Sequence, residues 1–169
     1  MILSQRLILR QLELTDAPFI ITLLNTAGWL QYIGNRHVRT IEDAERYITH
    51  GPAKSYRDNG FGLLLVTERE QGTPIGICGL LKRENLDHPD LGFAFLPEYT
   101  GKGYAYEASI AVLNYGQESL KIDTVAAITL QENIASVKLL EKLGFLFTGK
   151  TRSDDGREEL YLFIRKREA

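Results

Sequence analysis

Gly101 and Gly103 flank Lys102 at the junction between an apolar run, Asp90 to Leu96, and a helical pattern that opens at Tyr104. Strand, glycine turn and helix in that order present consecutive backbone N–H groups at a helix amino terminus, where the helix dipole also favours negative charge. The chemistry this suits is anion binding. Glycine lets the backbone approach a phosphate closely, Ala105 keeps the first helical turn uncrowded, and Lys102 adds a point charge. Two familiar phosphate patterns fail here. A P-loop needs glycine where Leu96 stands and Ser or Thr where Gly103 stands, and a dinucleotide fingerprint needs Gly or Ala where Tyr106 stands. Taken alone, the two glycines are equally well explained as a plain helix-entry turn.

Asn133 and Ser136 form a second pair with meaningful spacing. Asparagine is a favoured N-cap, and a residue three positions on lies in the first helical turn, so helix stability alone accounts for both. His37, His50 and His88 have no metal-ligand spacing and no cysteine cluster nearby, so no zinc site is expected. The single cysteine, Cys78, lies inside the apolar run Pro74 to Leu81 and reads as a buried, inert thiol.

The elements that must position these residues follow from periodicity and turn chemistry. Leu7 to Leu12 suits a first strand, Thr15-Asp16 a helix start, and Ala17 to Thr26 the first helix. Ile41 to Tyr56 suits a second helix, interrupted at Gly51-Pro52 because proline lacks a backbone donor and clashes with the preceding turn. Trp29 to Val38 reads as a loop. Phe61 to Arg69 and Pro74 to Arg83 are strands joined by a hairpin, Asp90 to Leu96 is a strand ended by Pro97, and Tyr104 to Leu120 is a helix. Asp123 to Leu130 is a strand, Asn133 to Leu143 a helix ended by Gly144, and Phe145 to Lys150 and Glu159 to Arg165 make a hairpin through Asp155-Gly156. Seven strands and four helices in this order predict a mixed α/β sandwich around one sheet.

With 169 residues, 44% apolar and 25% charged, the chain is expected to be one domain, residues 1–169. A formal charge of -2 with no basic stripe argues against nucleic acid as a direct ligand. No apolar run reaches the roughly 18 residues of a membrane span. The start MILSQRLILRQLELTD has neither the apolar run nor the cleavage signal of a secretory leader. A cytoplasmic enzyme or binding protein is the expectation.

From Asp90 to Phe145 the sequence resembles the GNAT acetyltransferase superfamily, especially its ribosomal-protein (RimJ/RimL-type) N-acetyltransferase branch. The carrying residues are LGFAFLPEYTGKGYAYEA, Leu91 to Ala108, and NIASVKLLEKLGF, Asn133 to Phe145. RLILRQLELTD near the start and TIEDAERYI, Thr40 to Ile48, extend the resemblance more loosely over nearly the whole chain. It implies a mostly antiparallel central sheet with helices on its faces, acetyl-CoA as co-substrate, no metal, and an amine acceptor.

The family pattern Gln/Arg-x-x-Gly-x-Gly/Ala, which wraps the CoA pyrophosphate, falls on Thr100, Gly101, Lys102, Gly103, Tyr104 and Ala105. Gly103 and Ala105 match, whereas Thr100 stands where Gln or Arg is usual. The preceding strand, with Phe93 and Phe95, is implied to pair with pantetheine through its backbone and to aim an N–H at the thioester carbonyl, stabilising charge on that oxygen. By the same resemblance Asn133 contacts pantetheine and Ser136 protonates the leaving thiolate, beside their capping roles. Asp90 is implied to take the ammonium proton, directly or through water; a solvated turn residue in Asp87-His88-Pro89-Asp90 is the other reading.

The acceptor pocket is expected from the Trp29 to Val38 loop, the second helix and the final hairpin. The branch resemblance points to a protein or peptide α-amine, whose pKa of about 7.7–8.0 leaves much of it neutral near pH 7.5, unlike lysine at about 10.4. A small-molecule amine is the alternative acceptor. A sensor that binds acyl-CoA without turnover is the alternative activity.

Overall fold

The computed structural model describes residues 1–168. Eight strands, Ile2–Leu3 (β1), Leu7–Gln11 (β2), Leu63–Glu68 (β3), Pro74–Leu81 (β4), Asp90–Phe95 (β5), Thr124–Thr129 (β6), Leu146–Arg152 (β7) and Glu159–Lys166 (β8), form one open sheet. Their spatial order is β1-β2-β3-β4-β5-β6-β8-β7. Every neighbouring pair is antiparallel except β5 and β6, which run parallel and share a single register pair, Asp90 with Ala126.

Among the described residues six α-helices cover the sheet: Ala17–Leu24 (α1), Ala27–Tyr32 (α2), Ile41–His50 (α3), Pro52–Asn59 (α4), Tyr104–Glu118 (α5) and Ile134–Lys142 (α6). Side chains alternate across a strand, so one sheet builds two cores. Leu65 and Ile77 pack with Ile20, Leu23, Trp29, Ala44 and Ile48 under α1 to α4. Val66 and Cys78 instead join Val112, Leu113, Leu140 and Phe145 under α5 and α6. Cys78 is buried there, its thiol pushed up to about 12 by burial, which matches the inert reading.

The architecture is the expected mixed one, with one more strand and two more helices than the pattern suggests. Strand β1 has two residues, too few for any periodicity to register. The interruption at Gly51-Pro52 is complete: the Gly51 N–H closes α3 on the Tyr47 carbonyl at 2.9 Å, and Pro52 opens α4, where its missing donor costs nothing. The segment expected to be a loop from Trp29 is helical as far as Tyr32. Thr26 caps that turn through the Trp29 N–H, and the Trp29 ring, 6% exposed, anchors it in the core.

Candidate active site

The sheet splits between β5 and β6. Near Asp90 the strands are joined, with the Ala126 N–H donating to the Pro89 carbonyl at 2.8 Å; beyond that pair no register is kept. Backbone groups of a strand point alternately to its two neighbours. The Leu96 N–H donates to Ile75 at 2.9 Å on the β4 side, so the N–H and C=O groups of Phe93 and Phe95 face the gap. Their rings pack with the α5 core, while Ala94 and Leu96 pack with the α1 to α4 core. Among the described residues the gap is therefore lined on this side by backbone without a strand partner, which suits an extended, amide-bearing chain that can pair as a strand would.

Because β5 and β6 are parallel, both carry the chain to the same end of the sheet, and the helices that follow, α5 and α6, open there. At that end Gly101 and Gly103 have φ of 72° and 82°, conformations that glycine adopts without strain. Thr100 closes the preceding turn, donating to the Pro97 carbonyl through both its N–H and its hydroxyl. The next backbone donor with an acceptor in the chain is the Glu107 N–H, bound to the Gly103 carbonyl at 3.0 Å. Among the described residues, the N–H groups of residues 101–106 have no acceptor. A Cβ built on Gly101 meets nothing within 4 Å, so the space before the turn is open. Amides without acceptors on a turn at the start of a 15-residue helix have the geometry that can receive an anion.

The other nominated groups divide. Ala105 and Tyr104 offer backbone N–H groups, but the Tyr104 hydroxyl is committed to Glu68 Oε1 at 2.9 Å. Lys102 Nζ lies 5.7 Å from the Tyr99 ring. Asn133 does cap α6, its Oδ1 accepting from the Ser136 N–H at 3.3 Å; among the described residues the Ser136 hydroxyl has no hydrogen bond. Both sit beyond the C-terminal end of β6, on the lip opposite the Gly101–Gly103 turn.

Asp90 is not a solvated turn residue. It is 1% exposed and accepts from Arg83 Nε, whose guanidinium also donates from Nη1 to Asp154 Oδ2 at 2.7 Å in the β7–β8 connection. Burial raises its pKa to about 6, against the opposing pull of Arg83. Burial also raises the Tyr47 phenol on α3, which feels the charges of Arg36 and Arg83. Asp90 thus stands at the closed end of the split, tied to the final hairpin. Arg83, and Arg6 beside the amide turn, are the charged residues that sequence reasoning missed. Arg83 lies seven residues from Asp90, and Arg6 and Glu107 are 101 residues apart, so no local pattern marks either contact. No group of three His, Cys, Asp or Glu side chains among the described residues is placed to hold a metal.

A mostly antiparallel sheet split at its one parallel pair, with an amide cradle where the first lip enters a helix, defines the acetyltransferase class of fold. Residues 6–146 match the family described as the acetyltransferase (GNAT) domain. The uncharacterized N-acetyltransferase YnaD of Bacillus subtilis (strain 168) is 30% identical over 145 residues, covering 85% of this chain and 81% of that protein. The chain belongs to the GNAT acetyltransferase family and is an N-acetyltransferase. Two solved structures share the fold over 98% and 97% of the chain: the ribosomal-protein-S5-alanine acetyltransferase of Vibrio fischeri (TM-score 0.79, 17% identity, 96% of that chain) and the spermidine N-acetyltransferase of Vibrio cholerae in complex with CoA and spermine (TM-score 0.78, 24% identity, 97% of that chain). No helix among the described residues is long and apolar enough to cross a membrane.

Proposed function

We propose that the chain transfers an acetyl group from acetyl-CoA to a primary amine, with a protein or peptide α-amine as the first acceptor class, and that it works in the cytoplasm. The observation that carries this reading is the continuity of unpaired backbone, from Phe93 and Phe95 along the gap into the free amides of residues 101–106. The cradle suits a pyrophosphate, and the gap suits the two amides of a pantetheine arm. Acetyl-CoA supplies the activated acyl group as a thioester.

The residues then have separable tasks. The Phe93 and Phe95 amides hold the arm and offer an N–H to the carbonyl oxygen that gains charge. A neutral amine nitrogen bonds to the carbonyl carbon, the carbon–sulfur bond breaks, and its electron pair leaves on sulfur. The proton shed by the new amide's nitrogen passes to Asp90, directly or through water. With a pKa of about 6 that carboxylate is ionised at neutral pH and basic enough to receive it. Ser136, whose hydroxyl has no hydrogen bond among the described residues, donates a hydrogen bond to the departing sulfur and keeps its proton, the thiolate taking its proton from solvent, and Asn133 steadies the arm from the β6 lip.

A small amine is the second acceptor class, supported by the likeness to the Vibrio cholerae enzyme bound to CoA and spermine. Release of free thiol from acetyl-CoA, measured with free-N-terminus peptides, N-terminally blocked lysine peptides and polyamines, separates the readings. Turnover confined to free-N-terminus peptides supports the first, and turnover with polyamines alone supports the second. CoA binding without turnover on any acceptor turns the reading into that of an acyl-CoA sensor.

A further inference from the structure

We propose that Arg6, just ahead of β2, is a positioning residue for the pyrophosphate cradle, supplying from the N-terminal segment the cationic control that Thr100 cannot provide within the turn. The inference rests on the reading of residues 100–105 as the pyrophosphate site. The Arg6 backbone is fixed at both ends: its N–H donates to Glu107 Oε1 at 2.7 Å, and its carbonyl accepts from the Arg69 N–H at 2.8 Å. From that fixed point the guanidinium spreads over the start of α5. Nε donates to Glu107 Oε2 at 2.7 Å, Nη1 donates to the Lys102 carbonyl at 3.0 Å, and the guanidinium carbon lies 4.3 Å from the centre of the Tyr104 ring. Nη2 has no hydrogen bond among the described residues and lies 3.4 Å from where a Cβ on Gly103 would stand.

Two consequences follow for an anion in front of the turn. A trans peptide sets its C=O and N–H on opposite sides. With the Lys102 carbonyl held toward Arg6, the Gly103 N–H is turned the other way, toward the open face of the cradle. Arg6 therefore orients a donor it does not touch. Glu107, moreover, places a carboxylate in the first turn of α5, on the helix end that must receive a pyrophosphate. Like charges repel, and an unneutralised Glu107 would oppose the ligand. Arg6 and Ser4 occupy both its oxygens; burial pushes its pKa up, but the hydrogen bonds from Ser4 and Arg6 and the Arg6 charge together outweigh that and hold it below the usual carboxylate range. The arginine fork suits this double task, because one planar group reaches a carboxylate and a carbonyl together.

The test compares two ligands that share the pantetheine arm: CoA, followed by calorimetry, and pantetheine, which lacks the pyrophosphate, followed by ligand-observed NMR titration. Wild type should bind CoA the more tightly. If it binds CoA no better than pantetheine, the pyrophosphate reading itself fails, whatever Arg6 does. Given that preference, Arg6→Met should weaken CoA by about 10- to 100-fold, the scale of a charge-assisted hydrogen bond, and leave pantetheine within about twofold. Equal weakening of both ligands, or no weakening of CoA, would overturn the proposal. Should Arg6→Met not fold, Arg6→Lys carries the same comparison, since it keeps a charge beside Glu107 but has no fork for the Lys102 carbonyl. A loss confined to CoA supports the assignment, while a shared loss or none overturns it.

Discussion

Arg83 Nε donates to both carboxylate oxygens of Asp90, at 3.1 and 3.2 Å, and yet Asp90 is held less acidic than a free aspartate. The guanidinium favours the charged carboxylate, but burial of Asp90 at the joined end of β5 and β6 disfavours it more strongly. The second carboxylate on Arg83, Asp154, pushes the same way as burial. One cation shared between two anions leaves the buried one poised near neutrality, which is what a proton acceptor at physiological pH requires.

The first prediction concerns Asp90. If it accepts the amine proton, kcat/KM for the acceptor should fall below pH about 6 as Asp90 protonates, separately from any limb set by the amine itself. Asp90→Asn should lower kcat at pH 7.5 by about 10²-fold, the lower end of general base effects, with CoA affinity unchanged. A wild-type rate at every pH in Asp90→Asn removes the role. The same shift has a stability sign. The folded pKa lies above the unfolded one, so the protonated form favours folding; this contribution is present below about pH 4 and is lost as pH rises through about 6.

Asp154 tests the electrostatic chain independently. Its carboxylate is largely exposed, so Asp154→Asn should change stability by no more than about 1 kcal/mol. Because Asp154 raises the Asp90 pKa through its charge, the same substitution should move the lower limb of the pH–rate profile toward acid. A limb that stays in place separates Asp154 from the proton acceptor.

The backbone geometry of the candidate donor site was legible in the sequence, because strand, glycine turn and helix are local patterns whose conformation follows from residue type. The φ values at Gly101 and Gly103 and the cap from Asn133 are of this kind. The Asp90 environment was not legible. Its partner Arg83 lies in the β4–β5 connection and is shared with Asp154 of the final hairpin, 71 residues away, a contact no local pattern marks, so the run Asp87-His88-Pro89-Asp90 also reads as solvated. Helix α2 was missed for another reason: six residues are too few for a helical period, and Trp29 holds them through tertiary packing.

The two glycines of the cradle should fail differently. Gly101→Ala meets no neighbour within 4 Å, so its cost is backbone strain alone, about 1–2 kcal/mol for an L-residue at positive φ. Gly103→Val adds a β-branched side chain to the same strain, with its Cβ in contact with Arg6 Nη2 at 3.4 Å. Calorimetry should show a larger loss of CoA affinity for Gly103→Val than for Gly101→Ala, in variants that still melt cooperatively. Unchanged affinity in a folded Gly103→Val would remove the pyrophosphate assignment.

The last prediction separates Asn133 from Ser136, which share one hydrogen bond across the first turn of α6 but have different work to do. In the proposed mechanism the Ser136 hydroxyl donates a hydrogen bond to the departing sulfur, while its backbone N–H serves the cap. A thiol of pKa about 8.5 leaves as a fairly stable anion, so its protonation in the transition state contributes little at neutral pH. Ser136→Ala should therefore cost no more than about tenfold in kcat, or roughly 1.4 kcal/mol, and should leave the cap intact, since the cap uses the Ser136 backbone N–H. Asn133 does two things in the proposed mechanism: it caps α6 and it holds the pantetheine arm in register. Loss of a cap costs about 1 kcal/mol of stability without touching turnover in the folded protein. Loss of register can cost about a hundredfold in rate. Asn133→Ser keeps a capping oxygen but shortens the side chain's reach, so it isolates the second effect. A fall in acetyl transfer at unchanged melting temperature, larger than that of Ser136→Ala, is the expected result; wild-type kinetics in Asn133→Ser would leave Asn133 with the cap alone.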